Sequence, residues 1–203
     1  VTGGHVAGLL LAAGAGSRMG TPKALVRSAD GRPWVERAVT TLVDGGCDEV
    51  VVVLGCAAHE ARVLVPRWAV VRTVVAPDWK TGVSASLATG LDVLSAAPAS
   101  RGAATALVSL VDLPDLPPAA VDRVVGDAGG RPDAVRRAAF GGRPGHPVLL
   151  GRAHWSGLLA ALRASAGSAA VADRGAGPYL AAVGAEPVDC GDLWDGRDHD
   201  LPS

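Results

Sequence analysis

Aromatic residues are scarce in this 203-residue chain: one phenylalanine, one tyrosine and five tryptophans. Since 49% of the residues are apolar, a core has to be built mainly from alanine, valine and leucine. A chain of this length can bury such a core without disulfide or metal staples. Lysine is scarcer still, with Lys23 and Lys80 alone among the basic residues and arginine supplying the rest. Nor is either sign of charge in excess. Nineteen basic against 20 acidic side chains leave a net charge of −1, which excludes a broad electropositive face for nucleic acid or an anionic membrane. The three cysteines, Cys47, Cys56 and Cys190, match no zinc or disulfide spacing and suit a reducing compartment. The apolar run from Val6 to Ala13 is broken by Gly8 and too short to cross a bilayer. The opening Val1-Thr2-Gly3-Gly4-His5 lacks the basic segment of a secretory signal. One cytoplasmic domain over residues 1–203 is the expectation.

What is present is an alternation of strand-like and helix-like stretches. Val6–Ala12, Glu49–Leu54, Val70–Val75 and Thr105–Val111 read as buried parallel strands. Pro33–Val43, Ala57–Val65, Val83–Leu94, Pro118–Val125 and Arg152–Ala164 read as helices, two of them opening on proline. Asp133–Phe140 and His146–Leu150 read as strands around a Gly-rich turn, and the polar tail from Asp192 is expected to be irregular. The β-α-β order predicts a Rossmann-like α/β fold, a mostly parallel sheet between two helical layers.

The densest signal follows the first strand: Leu11-Ala12-Ala13-Gly14-Ala15-Gly16-Ser17-Arg18-Met19-Gly20-Thr21-Pro22-Lys23. Small residues at a strand's carboxyl end let the backbone approach a ligand, and successive amides can form an anion-binding nest. Arg18 and Lys23 add the fixed positive charge that a polyphosphate and its leaving group require. Two commoner motifs fail on spacing. Met19 stands where a dinucleotide fingerprint needs its third glycine, and Gly20 is followed by Thr-Pro-Lys where a P-loop needs lysine at once. The bland alternative is a strand-to-helix turn with two solvated basic residues.

A second signal is Asp112, which ends an apolar strand ahead of Leu113-Pro114. A carboxylate at that position suits Mg²⁺, which takes one or two carboxylates and completes its shell with phosphate and water; capping the following helix is the structural alternative. Ser84 and Ser86, at a helix start after Trp79-Lys80-Thr81-Gly82, are candidate contacts to a nucleotide. His146, in Gly145-His146-Pro147, is a candidate acceptor contact, although a lone histidine beside proline is more often structural. Asp198 and Asp200 reach a metal only if the tail folds back. No nucleophile elbow and no zinc constellation occurs.

Together these segments resemble the MobA-like nucleotidyltransferase family, closest to its molybdenum cofactor cytidylyltransferase branch. The opening Leu-Ala-Ala-Gly-x-Gly-x-Arg-Met-Gly-x-x-Lys carries the resemblance. Pro77-Asp78-Trp79, Val111-Asp112-Leu113-Pro114, Gly145-His146-Pro147-Val148 and Val188-Asp189 follow in the family's order. The resemblance implies a nucleotide-diphospho-sugar transferase type of α/β/α sandwich. It implies that Leu11, Ala12, Ala13, Gly14, Gly16 and Ser17 wrap a nucleoside triphosphate, that Arg18 and Lys23 neutralise it, and that Asp112, with Asp200 as a second ligand, holds Mg²⁺. Ala-Ala-Gly in the opening looks like the cytidylyl-transferring members, which makes CTP the donor and a molybdopterin-type cofactor the acceptor, with a molybdenum hydroxylase as the downstream partner. Two positions depart from the pattern: Leu201 stands in a tail where relatives carry threonine, and Gly177 where the family often has arginine. Relatives with a similar opening also include nicotinamide-dependent reductases of a nicotine-derived blue pigment, and a non-catalytic molybdenum cofactor chaperone is a third possibility. Pyrophosphate release, NADH oxidation, or nucleotide binding without turnover separates the three.

Overall fold

The computed structural model describes residues 4–17, 19–98, 102–164 and 174–199. Its described strands form one seven-stranded sheet in the order β3-β2-β1-β4-β6-β5-β7. In chain order these are β1 (Val6–Ala12), β2 (Glu49–Leu54), β3 (Val71–Val75), β4 (Thr105–Leu110), β5 (Val135–Phe140), β6 (Arg143–Gly151) and β7 (Glu186–Asp189). β1 pairs parallel with both β2 and β4, β3 runs parallel to β2, and β7 runs parallel to β5. Only β6 is reversed, antiparallel to β4 and β5, because the short turn after Phe140 joins β5 and β6 as a hairpin.

Strand parity sorts the core into two layers. Val6, Leu10, Val50, Val52 and Leu107 face helices α1 (Trp34–Asp44), α2 (Ala58–Leu64) and α4 (Pro118–Val125). Ala7, Leu9, Val51, Val53, Val148 and Leu150 face α3 (Val83–Ser95), α5 (Trp155–Ala164) and α6 (Gly177–Val183). On α1, Trp34, Val35, Ala38, Val39 and Leu42 are buried, the stripe that a 3.6-residue period places on one side. The centre of the sheet is therefore largely apolar on both faces, as the unbroken valine and leucine run Val50–Leu54 of β2 requires.

Several boundaries differ from the reading of the sequence. β6 begins at Arg143 rather than at His146, since the hairpin keeps pairing through Phe140–Arg143. A single 3₁₀ turn, Arg152–His154, precedes α5, which starts at Trp155. α6 and β7 have no counterpart in the sequence reading: α6 spans seven residues and β7 four, with little apolar periodicity in either. Among the described residues no helix is long and apolar enough to cross a membrane.

Trp155 is the largest fully buried side chain of the α3–α5 layer, and its Nε1–H donates to the Leu150 carbonyl at 3.0 Å. Trp155→Phe removes both that donor and part of the ring's volume. The expected loss is about 3 kcal/mol from the cavity and the lost hydrogen bond together, read as a lower urea midpoint at unchanged m-value.

Candidate active site

β1 and β4 end side by side. Leu11 pairs with Leu110, and the Val111 amide donates to the Leu11 carbonyl at 3.1 Å. The residues that come next on each strand, Ala12-Ala13-Gly14 on one and Asp112 on the other, therefore emerge at the same edge. β1 is also where the strand order turns, with β2 on one flank and β4 on the other, the position at which open α/β sheets leave a crevice.

The loop after β1 folds tightly on itself. Gly16 has φ +60°, and a Cβ there would lie 1.9 Å from the Thr21 carbonyl oxygen, so both the backbone angle and the packing demand glycine. The Met19 amide closes the turn onto the Gly16 carbonyl at 2.9 Å. The chain then returns through the 3₁₀ turn Lys23–Leu25. That return brings Lys23 Nζ to 2.6 Å from Asp112 Oδ2, with the two side chains 17% and 14% exposed. The other carboxylate oxygen, Asp112 Oδ1, is buried and accepts no hydrogen bond among the described residues. A buried carboxylate oxygen without a donor is costly unless a ligand completes it.

The segment carrying Asp112 is held from two further sides. The Arg37 Nε of α1 donates to the Pro114 carbonyl at 3.2 Å. The tail does fold back, and the His199 amide donates to the Asp112 carbonyl at 3.1 Å. The His199 ring meets Asp115 Oδ2 through Nε2 at 2.8 Å and packs edge-on to Trp34, with centroids 5.5 Å apart.

An open cavity of about 620 Å³ surrounds the Lys23–Asp112 pair. One wall is the first loop, with Leu11, Ala13, Gly14, Gly16 and Ser17 lining it. The facing wall is the turn Trp79–Thr81 and the first residues of α3, including Lys80, Gly82 and Ser86. A Cβ on Gly55 would lie 2.6 Å from the Ala13 carbonyl and 2.7 Å from the Trp79 Cβ, so Gly55 is what lets the two walls approach. Lys80 Nζ lies 5.6 Å from the centroid of the Trp79 ring, a cation–π distance.

Of the residues expected from the sequence, Lys23, Asp112, Leu11, Ala13, Gly14, Gly16, Ser17 and Ser86 line this cavity. Ala12 and Ser84 do not: strand alternation turns Ala12 into the α1–α4 core, and Ser84 is buried at 3% exposure. Arg18 and Asp200 lie outside the described residues. Trp79 and Lys80 were not among the expected contacts, although scarcity marks them: Lys80 is the second of only two lysines, and it follows an indole in a chain poor in aromatics. His146 opens instead onto an adjoining cavity of about 310 Å³.

Burial, with the Arg137 guanidinium nearby, lowers the His146 pKa from 6.5 to about 4. The histidine is thus neutral in the folded protein across the physiological range. Between pH 6.5 and 4 the unfolded chain binds a proton that the folded chain refuses, so stability falls as the pH drops through that window. His146→Gln should remove this component, which amounts to about 3 kcal/mol over the whole window. Denaturant titrations at pH 7 and pH 4.5 should show a smaller pH-dependent loss in the variant than in the wild type.

The chain is 37% identical over 200 residues to nicotine blue oxidoreductase of Paenarthrobacter nicotinovorans, an alignment covering 96% of this chain and 92% of that protein. The solved structure of Rv0371c from Mycobacterium tuberculosis H37Rv superposes with a TM-score of 0.71 at 22% identity, covering 98% of this chain and 95% of that one. A nucleotidyl transferase from Methanothermobacter gives a TM-score of 0.63 at 25% identity, covering 77% of this chain and 76% of its own. These superpositions identify the sheet as the nucleotide-diphospho-sugar transferase type of α/β fold. With residues 8–178 matching the family profile, the chain belongs to the MobA-like NTP transferase domain family.

Proposed function

We propose that this protein is a Mg²⁺-dependent nucleotidyltransferase that moves a nucleotidyl group, CMP from CTP, onto a phosphorylated acceptor of the molybdopterin type and releases pyrophosphate. The observation that carries this reading is the Lys23–Asp112 pair at 2.6 Å beside the glycine loop, with Asp112 Oδ1 buried and unpartnered. The lysine holds one carboxylate oxygen, and the other is the one that would take a hard cation. Among the described residues no three histidine, cysteine, aspartate or glutamate side chains are grouped as a metal site. The cation would therefore take Asp112 and complete its shell with phosphate oxygens and water, which is the habit of magnesium rather than of zinc. When bound it would neutralise charge on the phosphate oxygens at the reacting centre.

The acceptor's phosphate oxygen attacks the α-phosphorus of the nucleotide. A new P–O bond forms, the bond to the bridging α–β oxygen breaks, and the electron pair leaves with pyrophosphate. A phosphate nucleophile is already ionised at neutral pH, so the protein need supply no base. Its contribution is position and charge: loop amides along the triphosphate, with Lys23 and Lys80 as fixed cations.

Asp112→Ala is expected to lower pyrophosphate release from CTP, Mg²⁺ and acceptor by about 10²- to 10³-fold, while the far-UV circular dichroism stays that of the wild type. Activity within a few-fold of the wild type would remove Asp112 from the chemistry. Thermal shift supplies a second measurement. CTP should raise the melting temperature of the wild type more with Mg²⁺ than without, and Asp112→Asn should lose that metal-dependent increment.

The 37% identity to nicotine blue oxidoreductase favours a second reading, reduction of a pigment by a nicotinamide cofactor. NADH oxidation with that substrate and no pyrophosphate release from any nucleoside triphosphate would establish it in place of the first. Pyrophosphate release with no NADH oxidation is the expected result.

A further inference from the structure

Two consecutive arginines of β5 have opposite surroundings. Arg136 is neutralised twice, by Asp127 at 2.7 Å and by Glu186 at 3.1 Å. Arg137 projects to the other face of the sheet, and among the described residues it meets no carboxylate. Its Nε donates to the Gly145 carbonyl at 3.0 Å, and that is its one hydrogen bond there. Burial lowers the pKa of this guanidinium, the sign of a charge drawn out of water. A partly buried cation without a counter-charge favours an anionic partner, and a planar guanidinium is the group best shaped to take a carboxylate, sulfonate or phosphate in two hydrogen bonds.

Beside Arg137, the side chains of His146 and Arg174 are the polar ones lining the space it faces, and most of the other lining is apolar. Arg137 opens onto the cavity of about 310 Å³. The floor of that cavity is the sheet, through Val108, Val148 and Leu150, and its roof is α3 and α6, through Leu87 and Leu180. The result is a slot between a sheet and two helices. The cavity shares Leu11, Val83 and Leu110 with the one around Lys23 and Asp112, so the two are contiguous. β5 lies two strands from β4, roughly 10 Å at ordinary strand spacing. A ligand anchored on Arg137 and lying across β6 would bring its far end to Leu110, at the entrance to the Asp112 site.

We propose that this slot binds a small amphipathic anion, a flat aromatic or heterocyclic body on the valine and leucine walls with an acidic group paired to Arg137. That its occupant is the acceptor of the transfer rests on the nucleotidyltransferase reading; that it binds such an anion does not. On the combined reading the acceptor carries an acidic group remote from its reacting end, and Arg137 selects for it.

The test uses two probes with the same aromatic body. Anilinonaphthalene sulfonate carries an acidic group, and its parent N-phenylnaphthylamine carries none. Fluorescence titration of the full chain should give a dissociation constant at least about tenfold lower for the sulfonate, and Arg137→Gln should abolish that preference. Arg137→Lys should retain part of it, and a urea midpoint for Arg137→Gln close to the wild type's excludes loss of fold as the cause. Equal affinity of the wild-type chain for the two probes, or a preference that survives Arg137→Gln, overturns the proposal. The probes are read without nucleotide, so the two conclusions fail separately. A charge preference that depends on Arg137, in a protein releasing no pyrophosphate, keeps the anion slot and discards the transfer reaction.

Discussion

The register between β1 and β4 is the constraint on which the rest depends. Leu11 opposite Leu110 fixes where each strand stops, and with that it fixes the distance between the glycine loop and Asp112. A slip of one residue would turn Leu9 and Leu11 away from the α3 layer. It would also carry Asp112 off the level at which Lys23 returns. The register is held by burial on both faces, with Leu9, Leu10 and Leu107 all at 0% exposure. The apolar core and the polar site are for this reason one design: the same leucines that resist water set the spacing of a lysine and a carboxylate.

That spacing also resolves how a chain of net charge −1 can serve a polyanion. No broad field is needed. Two lysines and a carboxylate held by one of them place fixed charge locally in the cavity, where a uniform surface field would be weaker. The adjoining slot works by the same economy, with a guanidinium, Arg137, that meets no carboxylate among the described residues and a histidine kept neutral by its burial.

The central strands were legible in the sequence because both their faces are buried. Glu49–Leu54 is an unbroken apolar run after its first residue, and no solvent-facing position interrupts the pattern. Helices α1 and α4 announce themselves by a proline at or just before their first turn. β7 is not legible, since a four-residue strand containing Pro187 and lying at the edge of the sheet has too few positions to show a period. The site is legible as far as local chemistry reaches. Gly16, Lys23 and Asp112 stand out by type and placement, but the join of Trp79 to Gly55, and the difference between Arg136 and Arg137, arise only when distant segments meet. Adjacent arginines are equivalent in a string of letters and acquire different partners through strand parity alone.

The return of the tail has a consequence for biosynthesis. His199 grips Asp115 across 84 positions of sequence, and its amide caps the Asp112 carbonyl. A ribosome extends a chain from its amino terminus, so the sheet centre and the glycine loop emerge long before the segment that clamps the carboxylate loop. During that interval the loop carrying Asp112 is without its contact to His199, which forms once residue 199 has left the exit tunnel.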